Sequence, residues 1–100
     1  MARTRLSPAA SDDLREIRSF SKTAFGAQVA SDYLEGLRRV FRLLRDRPLA
    51  GFEEEAIGEG VRSFAYRSHR LYYVLDPQGV TIIRILHYAR DVTGAFESGH

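Results

Sequence analysis

Midway along this chain the spacing of its apolar residues changes from a helical period to a strand period. Before Pro48 they recur every three or four positions, and after Gly60 they come in short runs divided by tight turns. The second half reads Gly60-Val61-Arg62-Ser63-Phe64, a turn, His69 through Leu75, a turn at Asp76-Pro77-Gln78-Gly79, Val80 through His87, then Tyr88 to Asp91. Such a chain must place a helical pair against a small meander. So small a platform has little room for a deep substrate pocket.

Ala2 to Leu6 is a short candidate strand. Ser7 then reads as a helix N-cap, with Pro8 at the first helical position, where a missing N–H costs nothing. Asp12 and Asp13 sit early in this helix, favourable to its dipole. Ala10, Leu14, Ile17, Ser21 and Ala24 form a narrow stripe, and Gly26 is the natural stop. A second helix runs from about Ala27 to Asp46, with Ala30, Tyr33, Leu34, Leu37, Phe41 and Leu44 on one face and Arg38, Arg39, Arg42 and Arg45 on much of the other. Pro48 ends it. The break at Gly26 is so short that the two helices should form an antiparallel hairpin. Leu49 to Glu59 reads as a loop, Val61 to Tyr66 as a strand, and His69 to Leu75 as a central strand covered on both faces. Pro77 and Gly79 fit the second and fourth positions of a turn. The expected core is Leu14, Ile17, Leu34, Leu37, Phe41, Leu71, Tyr73, Ile83 and Ile85.

At 100 residues the chain makes one domain, over 1–91, with 92–100 read as a mobile tail, since its Thr, Gly and Ser content gives little to pack. The absence of cysteine excludes disulfides and thiolate metal sites and suits a reducing cytoplasm. No apolar run approaches the roughly 18 residues of a membrane span, so a soluble cytoplasmic protein with no membrane contact is expected. The net charge of +2 is small, but it is unevenly placed: Glu53, Glu54, Glu55 and Glu59 crowd one loop, while Gly60 to Asp91 holds five arginines against two aspartates.

His69, His87 and His100 lack the spacing of zinc ligands, and neither a Gly-rich phosphate loop nor a nucleophile elbow is present, so no metal or cofactor is expected. His100 reads as a disordered end. The arginines of the second helix read first as a solvated face. Tyr33, Tyr66, Tyr72 and Tyr73 read as core or core-edge aromatics with a polar tip reaching water. The sharpest group is Arg62, Arg67, Arg70, Arg84, His87, Tyr88 and Arg90. Arg84 lies inside an apolar strand, so its charge must reach the sheet edge, pair with a carboxylate or face a partner. Such a group could steer RNA phosphate and supply a proton donor, dock an acidic protein surface, or merely solubilise a half-exposed sheet.

Read in order, Leu6-Ser7-Pro8-Ala9-Ala10 with Asp13-Leu14, Phe25-Gly26 with Ala30 and Tyr33, Pro48 and Gly51, Gly60 to Phe64, His69-Arg70-Leu71-Tyr72-Tyr73, Ile82 to His87, and Ala89-Arg90-Asp91 resemble the RelE/ParE toxin superfamily, in particular its ParE branch. The resemblance covers nearly all of residues 3–91. It implies an α+β fold: a short N-terminal strand, then an antiparallel helical hairpin packed on a small, mainly antiparallel sheet. It also implies the toxin of a type II toxin–antitoxin module, with a cognate ParD-like or related antitoxin in a hetero-oligomer, DNA contacted only indirectly through that antitoxin, and DNA gyrase as target. On this reading the protein is not an enzyme, and Arg67, Arg84 and Arg90 would bind the target. The alternatives are a RelE-like ribosome-dependent mRNA endoribonuclease, using Arg62, Arg67, His87, Tyr88 and Arg90, or a non-toxic binding module of the same fold. The tail offers Phe96 and no tyrosine beyond Tyr88, which speaks against the nuclease.

Overall fold

The structure is a computed structural model and describes residues 3–90 and 92–98. Ala2, Asp91 and His100, named above, lie outside the described residues. Strand β1 (Arg3–Leu6) is followed by helices α1 (Pro8–Phe25) and α2 (Ala27–Asp46), then β2 (Phe52–Glu53), β3 (Arg62–Tyr66), β4 (His69–Asp76), β5 (Gly79–His87) and α3 (Val92–Ser98). The five strands form one sheet in the order β1-β5-β4-β3-β2; β1 runs parallel to β5 and every other pair is antiparallel. This is the expected α+β architecture, with two additions, β2 and α3.

Local chemistry sets the helix boundaries. The Ser7 hydroxyl accepts the Ala10 N–H at 3.0 Å, and Pro8 opens α1. Gly26, at φ 92°, returns its N–H to the Lys22 carbonyl and leaves a single residue between the helices. Neither Asp12 nor Asp13 lies in the first turn of α1, so the expected dipole role does not apply. In α2 the face carrying Ala30, Leu34, Leu37, Val40 and Leu44 is buried. Gly36 interrupts a good helix because a Cβ there would fall on the phenol of Tyr66, which donates to the Tyr33 carbonyl.

The hairpin covers one face of the sheet. Its core joins Ala10, Ile17, Leu34, Leu37 and Leu44 to Leu71, Tyr73, Val80, Ile82 and Ile85, with Leu14 and Phe41 packed partly buried at the margin. One expected core residue is misplaced. Tyr72 pairs with Arg84 but Tyr73 pairs with Ile82, so Ile83 is the extra residue of a β-bulge. The bulge lets Ile82 and Ile85 both reach the hairpin core, whereas Ile83 packs on the opposite face with Val61, Tyr72 and Leu86. That face is roofed by α3, where the sequence suggested a mobile tail. Ala95 is buried there, and Phe96 meets the Tyr72 ring edge-on at 5.3 Å. Apolar surface on the second side of β4 is what a short helix can cover.

Arg84 is also placed differently from a target-binding residue. Its Nε and Nη2 donate to the two carboxylate oxygens of Asp13 at 2.8 and 2.9 Å, and its Nη1 donates to the Ala95 carbonyl at 3.1 Å. Both side chains are nearly out of water, at 12% and 8% exposure. Asp13 also accepts the Ile85 backbone N–H at 2.9 Å. β1 ends its pairing at Ile82, so without Asp13 that stretch of β5 would bury an unpaired edge. Of the three options open to a charge inside an apolar strand, Arg84 takes the carboxylate.

Two stability outcomes are expected. Leu37→Ala, at a site with no solvent exposure, should cost about 2–5 kcal/mol in urea unfolding. Asp13→Ala should cost about 3–5 kcal/mol because it strands a buried guanidinium, whereas Asp13→Leu with Arg84→Met should recover only part of that loss, since the Ile85 N–H and the Ala95 carbonyl stay without their partners.

Candidate functional site

Hairpin turns bring one set of charged residues to a single end of the sheet. Tyr66 pairs with His69, and His69 pairs with His87, so the β3–β4 turn at Arg67 and Ser68 lies beside the end of β5. The Tyr88 N–H donates to the Ser68 carbonyl at 2.9 Å, and the Arg90 N–H to the His87 carbonyl at 2.9 Å, which folds Tyr88 and Arg90 back onto this end. Arg67, His87, Tyr88 and Arg90 are all exposed. Arg67 holds φ 51°, a left-handed conformation that costs an L-residue about 1–2 kcal/mol, with its guanidinium 5.7 Å from the centre of the Tyr66 ring.

Arg62 does not join them. It lies four residues back along β3, paired with Tyr73. Its Nη2 donates to the carbonyls of Gly51 at 2.8 Å and Leu49 at 3.2 Å, and its Nη1 approaches Glu53 at 3.5 Å. Tyr73 works on the same loop, giving its hydroxyl proton to the Pro48 carbonyl and accepting the Gly51 N–H. Arg62 is therefore a clamp on the segment between α2 and β2. Arg70 turns to the α3 side of the sheet, donating to Ser63, whose hydroxyl donates to Glu54 at 2.6 Å.

Next to the charged end, a groove of about 660 Å³ opens between the hairpin's elbow and the sheet. Its walls are apolar: Ile17, Phe20 and Phe25 from α1, Val29 and Tyr33 from α2, and Ile85 from β5. Phe20 and Phe25 are more than half exposed and Val29 is half exposed, and the two phenylalanines meet edge-on at 6.3 Å. Asp13, Glu16, His69, His87 and Arg90 supply the polar points of the lining. The sequence pattern did not single out this groove, because Phe20 and Val29 fall outside the apolar stripes of the two helices and only the fold brings them beside Phe25.

At the groove's floor the Tyr33 hydroxyl and His69 Nδ1 share a hydrogen bond across 2.6 Å, and the Ser68 hydroxyl lies 3.2 Å from the same oxygen. The His87 ring stands edge-on to His69 at 5.4 Å and lies 4.4 Å from the Tyr88 ring. Burial first, then the neighbouring His87, hold the His69 imidazole below its ordinary value of 6.5, with Asp13 opposing. Among the described residues no group of three or more His, Cys, Asp or Glu side chains could hold a metal ion, and no helix is long and apolar enough to cross a membrane.

The lowered His69 value has a definite sign. Its stabilisation is complete above the unfolded value of about 6.5 and is lost as pH falls below that toward the folded value. Proton NMR of the two ring signals should show His69 titrating below 6.5, and unfolding midpoints should drop across the same window. A His69 midpoint above 6.5 would reverse this assignment.

Comparison with known proteins places this arrangement in a family. Residues 4–92 match the family described as "ParE toxin of type II toxin-antitoxin system, parDE". A protein named Toxin ParE1 from Caulobacter vibrioides is 34% identical over 83 residues, covering 83% of this chain and 85% of that protein. A Toxin ParE1 from Mycobacterium tuberculosis is 32% identical over 88 residues, covering 87% and 90%. The fold is shared with a chain of the chromosomal ParDE system from P. aeruginosa, at a TM-score of 0.74 and 19% identity over 87% of this chain and 96% of that one. It is shared more distantly with a chain of the RelBE2 toxin–antitoxin complex from Mycobacterium tuberculosis, at a TM-score of 0.57 and 22% identity over 89% and 93%. The order of elements, the sheet and a family match spanning almost the whole chain lead to one conclusion: this protein belongs to the ParE toxins of type II toxin–antitoxin systems.

Proposed function

We propose that this toxin is held inactive by a cognate ParD-like antitoxin in a cytoplasmic hetero-oligomer and that, once free, it inhibits DNA gyrase without being an enzyme. The antitoxin carries the DNA-binding part of that complex. The elbow groove suits an antitoxin segment: exposed Phe20, Phe25 and Val29 can anchor an apolar helix face, and Arg90 and His87 at the rim can meet carboxylates. The fold-neighbour from P. aeruginosa comes from a ParDE system, which supports that partner class.

One observation favours gyrase binding over mRNA cleavage. A nuclease needs its cations around one phosphate, beside the groups that move protons. Arg62, one of the cations that reading requires, lies four residues along β3 from Tyr66, the residue that faces His87's partner His69, and is spent on the carbonyls of Leu49 and Gly51. What stays exposed at the sheet end is a surface of Arg67, His87, Tyr88 and Arg90 without Arg62. Arg67 belongs to both readings, and because a glycine would fit φ 51° at less cost, its side chain is the one to test.

Purified protein should be assayed in parallel for gyrase supercoiling and for cleavage of ribosome-bound mRNA. Loss of supercoiling with intact mRNA is expected. His87→Ala with Tyr88→Phe should leave inhibition within a few-fold, and Arg67→Gly should raise stability by up to about 1 kcal/mol while weakening inhibition at least about tenfold. Codon-positioned cuts with supercoiling untouched would overturn the gyrase assignment.

A further inference from the structure

A second concave surface shares no residue with the elbow groove. It lies between β1 and α2, measures about 370 Å³, and is lined by Arg3, Thr4, Arg38, Phe41, Arg42 and Arg45. Arg38, Arg42 and Arg45 fall at i, i+4 and i+7, so they form one row about 10 Å long on α2. Arg3 extends the row onto the neighbouring strand.

These four guanidiniums are only partly neutralised. Glu35 is divided between Arg38 at 3.7 Å and Arg42 at 3.6 Å, both longer than a hydrogen bond, and Asp46 takes Arg45 at 2.9 Å. Among the described residues no carboxylate lies within ion-pair distance of Arg3. Arg38 and Arg42 keep half their side-chain surface in water, so their donors are free to turn outward. The one aromatic in the lining, Phe41, is packed against the hairpin core and gives its backbone carbonyl to the Thr4 hydroxyl at 2.8 Å. None of the large apolar side chains that the described residues expose belongs to this surface.

That composition selects the partner. Protein interfaces are organised around buried apolar anchors, and this surface has none to offer. A nucleic-acid backbone asks for spaced cations alone, and one DNA strand carries a phosphate about every 3.4 Å along the axis, so the row spans about three of them. Guanidinium forks suit phosphate oxygens. We propose that the arginine row of α2 and β1 binds the phosphodiester backbone of double-stranded DNA without reading sequence. Because the two surfaces share no lining residue, a segment seated in the elbow groove alone leaves the arginine row free to add phosphate contacts.

The test is a fluorescence-anisotropy titration of the full chain against a labelled duplex of unrelated sequence between about 50 and 200 mM salt. Four phosphate contacts should give a log–log salt slope of about −3 to −4. Arg42→Gln with Arg45→Gln should reduce that slope by about two, and Arg15→Gln with Arg18→Gln, an equal charge change on exposed positions of α1, should leave it unchanged. Thermal melts check the fold of each variant. If the α2 pair melts early, Arg42→Gln alone should reduce the slope by about one. No binding at about 50 mM salt, an equal loss from the α1 pair, or competition by polyglutamate as strong as by unlabelled DNA would overturn the proposal. The last outcome would reassign the row to an acidic protein surface. Supercoiling measured on the same samples keeps this test apart from the gyrase assignment, since either result can fail alone.

Discussion

The contact between Asp13 and the Arg84–Ile85 segment is the constraint on which the rest of the fold depends. Three parts of the chain meet at one carboxylate and its guanidinium: α1 through Asp13, the bulged half of β5 through Arg84 and Ile85, and α3 through the Ala95 carbonyl. A carboxylate and a guanidinium buried this deeply are tolerable only when nearly every lone pair and proton is matched. Here the match also closes the sheet. β1 pairs β5 only as far as Ile82, then Ser7 takes over at the Ile82 and Ile83 carbonyls, and Asp13 takes the Ile85 N–H. The helix itself replaces the strand that would otherwise be missing.

The bulge at Ile83 lets this arrangement coexist with two apolar layers. A regular β5 would alternate strictly and could not send both Ile82 and Ile85 to the hairpin. With one residue inserted, the hairpin core stays continuous, Arg84 turns to the edge where Asp13 waits, and Ile83 and Leu86 are left for α3 to cover. In so small a domain the second layer matters, because a single face of a five-stranded sheet buries little surface. Farther along, hydrogen bonds from Thr81, Arg5 and the Gln78 N–H hold the Asp76 carboxyl down at about 2 and clasp the β4–β5 turn to β1.

Function is distributed over this scaffold by separation. The elbow groove is apolar and rimmed by His87 and Arg90. The strained Arg67 turn and Tyr88 stand beside it at the sheet end, and the arginine row of α2 and β1 forms its own surface. On the proposed reading the domain has an antitoxin, a target and a polyanion to bind, which calls for several shallow surfaces more than one deep pocket, and a two-layer plate supplies them. Arg62 and Tyr73 serve the plate by tying the α2–β2 segment down.

The boundaries of α1 and α2, the covered central strand and most of the hairpin core were legible in the residues, because capping groups, turn residues and apolar spacing act over a few positions. Ser7-Pro8, Gly26, Pro77–Gly79 and the Leu34–Leu37–Leu44 face are all cases of this. What the linear pattern left open were the destinations of charges and the coverage of the second face. Arg62, Arg67, Arg84 and Arg90 look alike as a string of arginines. Yet the fold commits Arg62 to loop carbonyls and Arg84 to Asp13, 71 positions away in the chain, and leaves Arg67 and Arg90 in water. Likewise, Val92 to Ser98 becomes a helix because Tyr72 and Leu86 offer it an apolar seat. Local preferences are written residue by residue, whereas the partner of a buried charge is chosen by which distant groups the packed chain brings within 3 Å, and that only the tertiary structure decides.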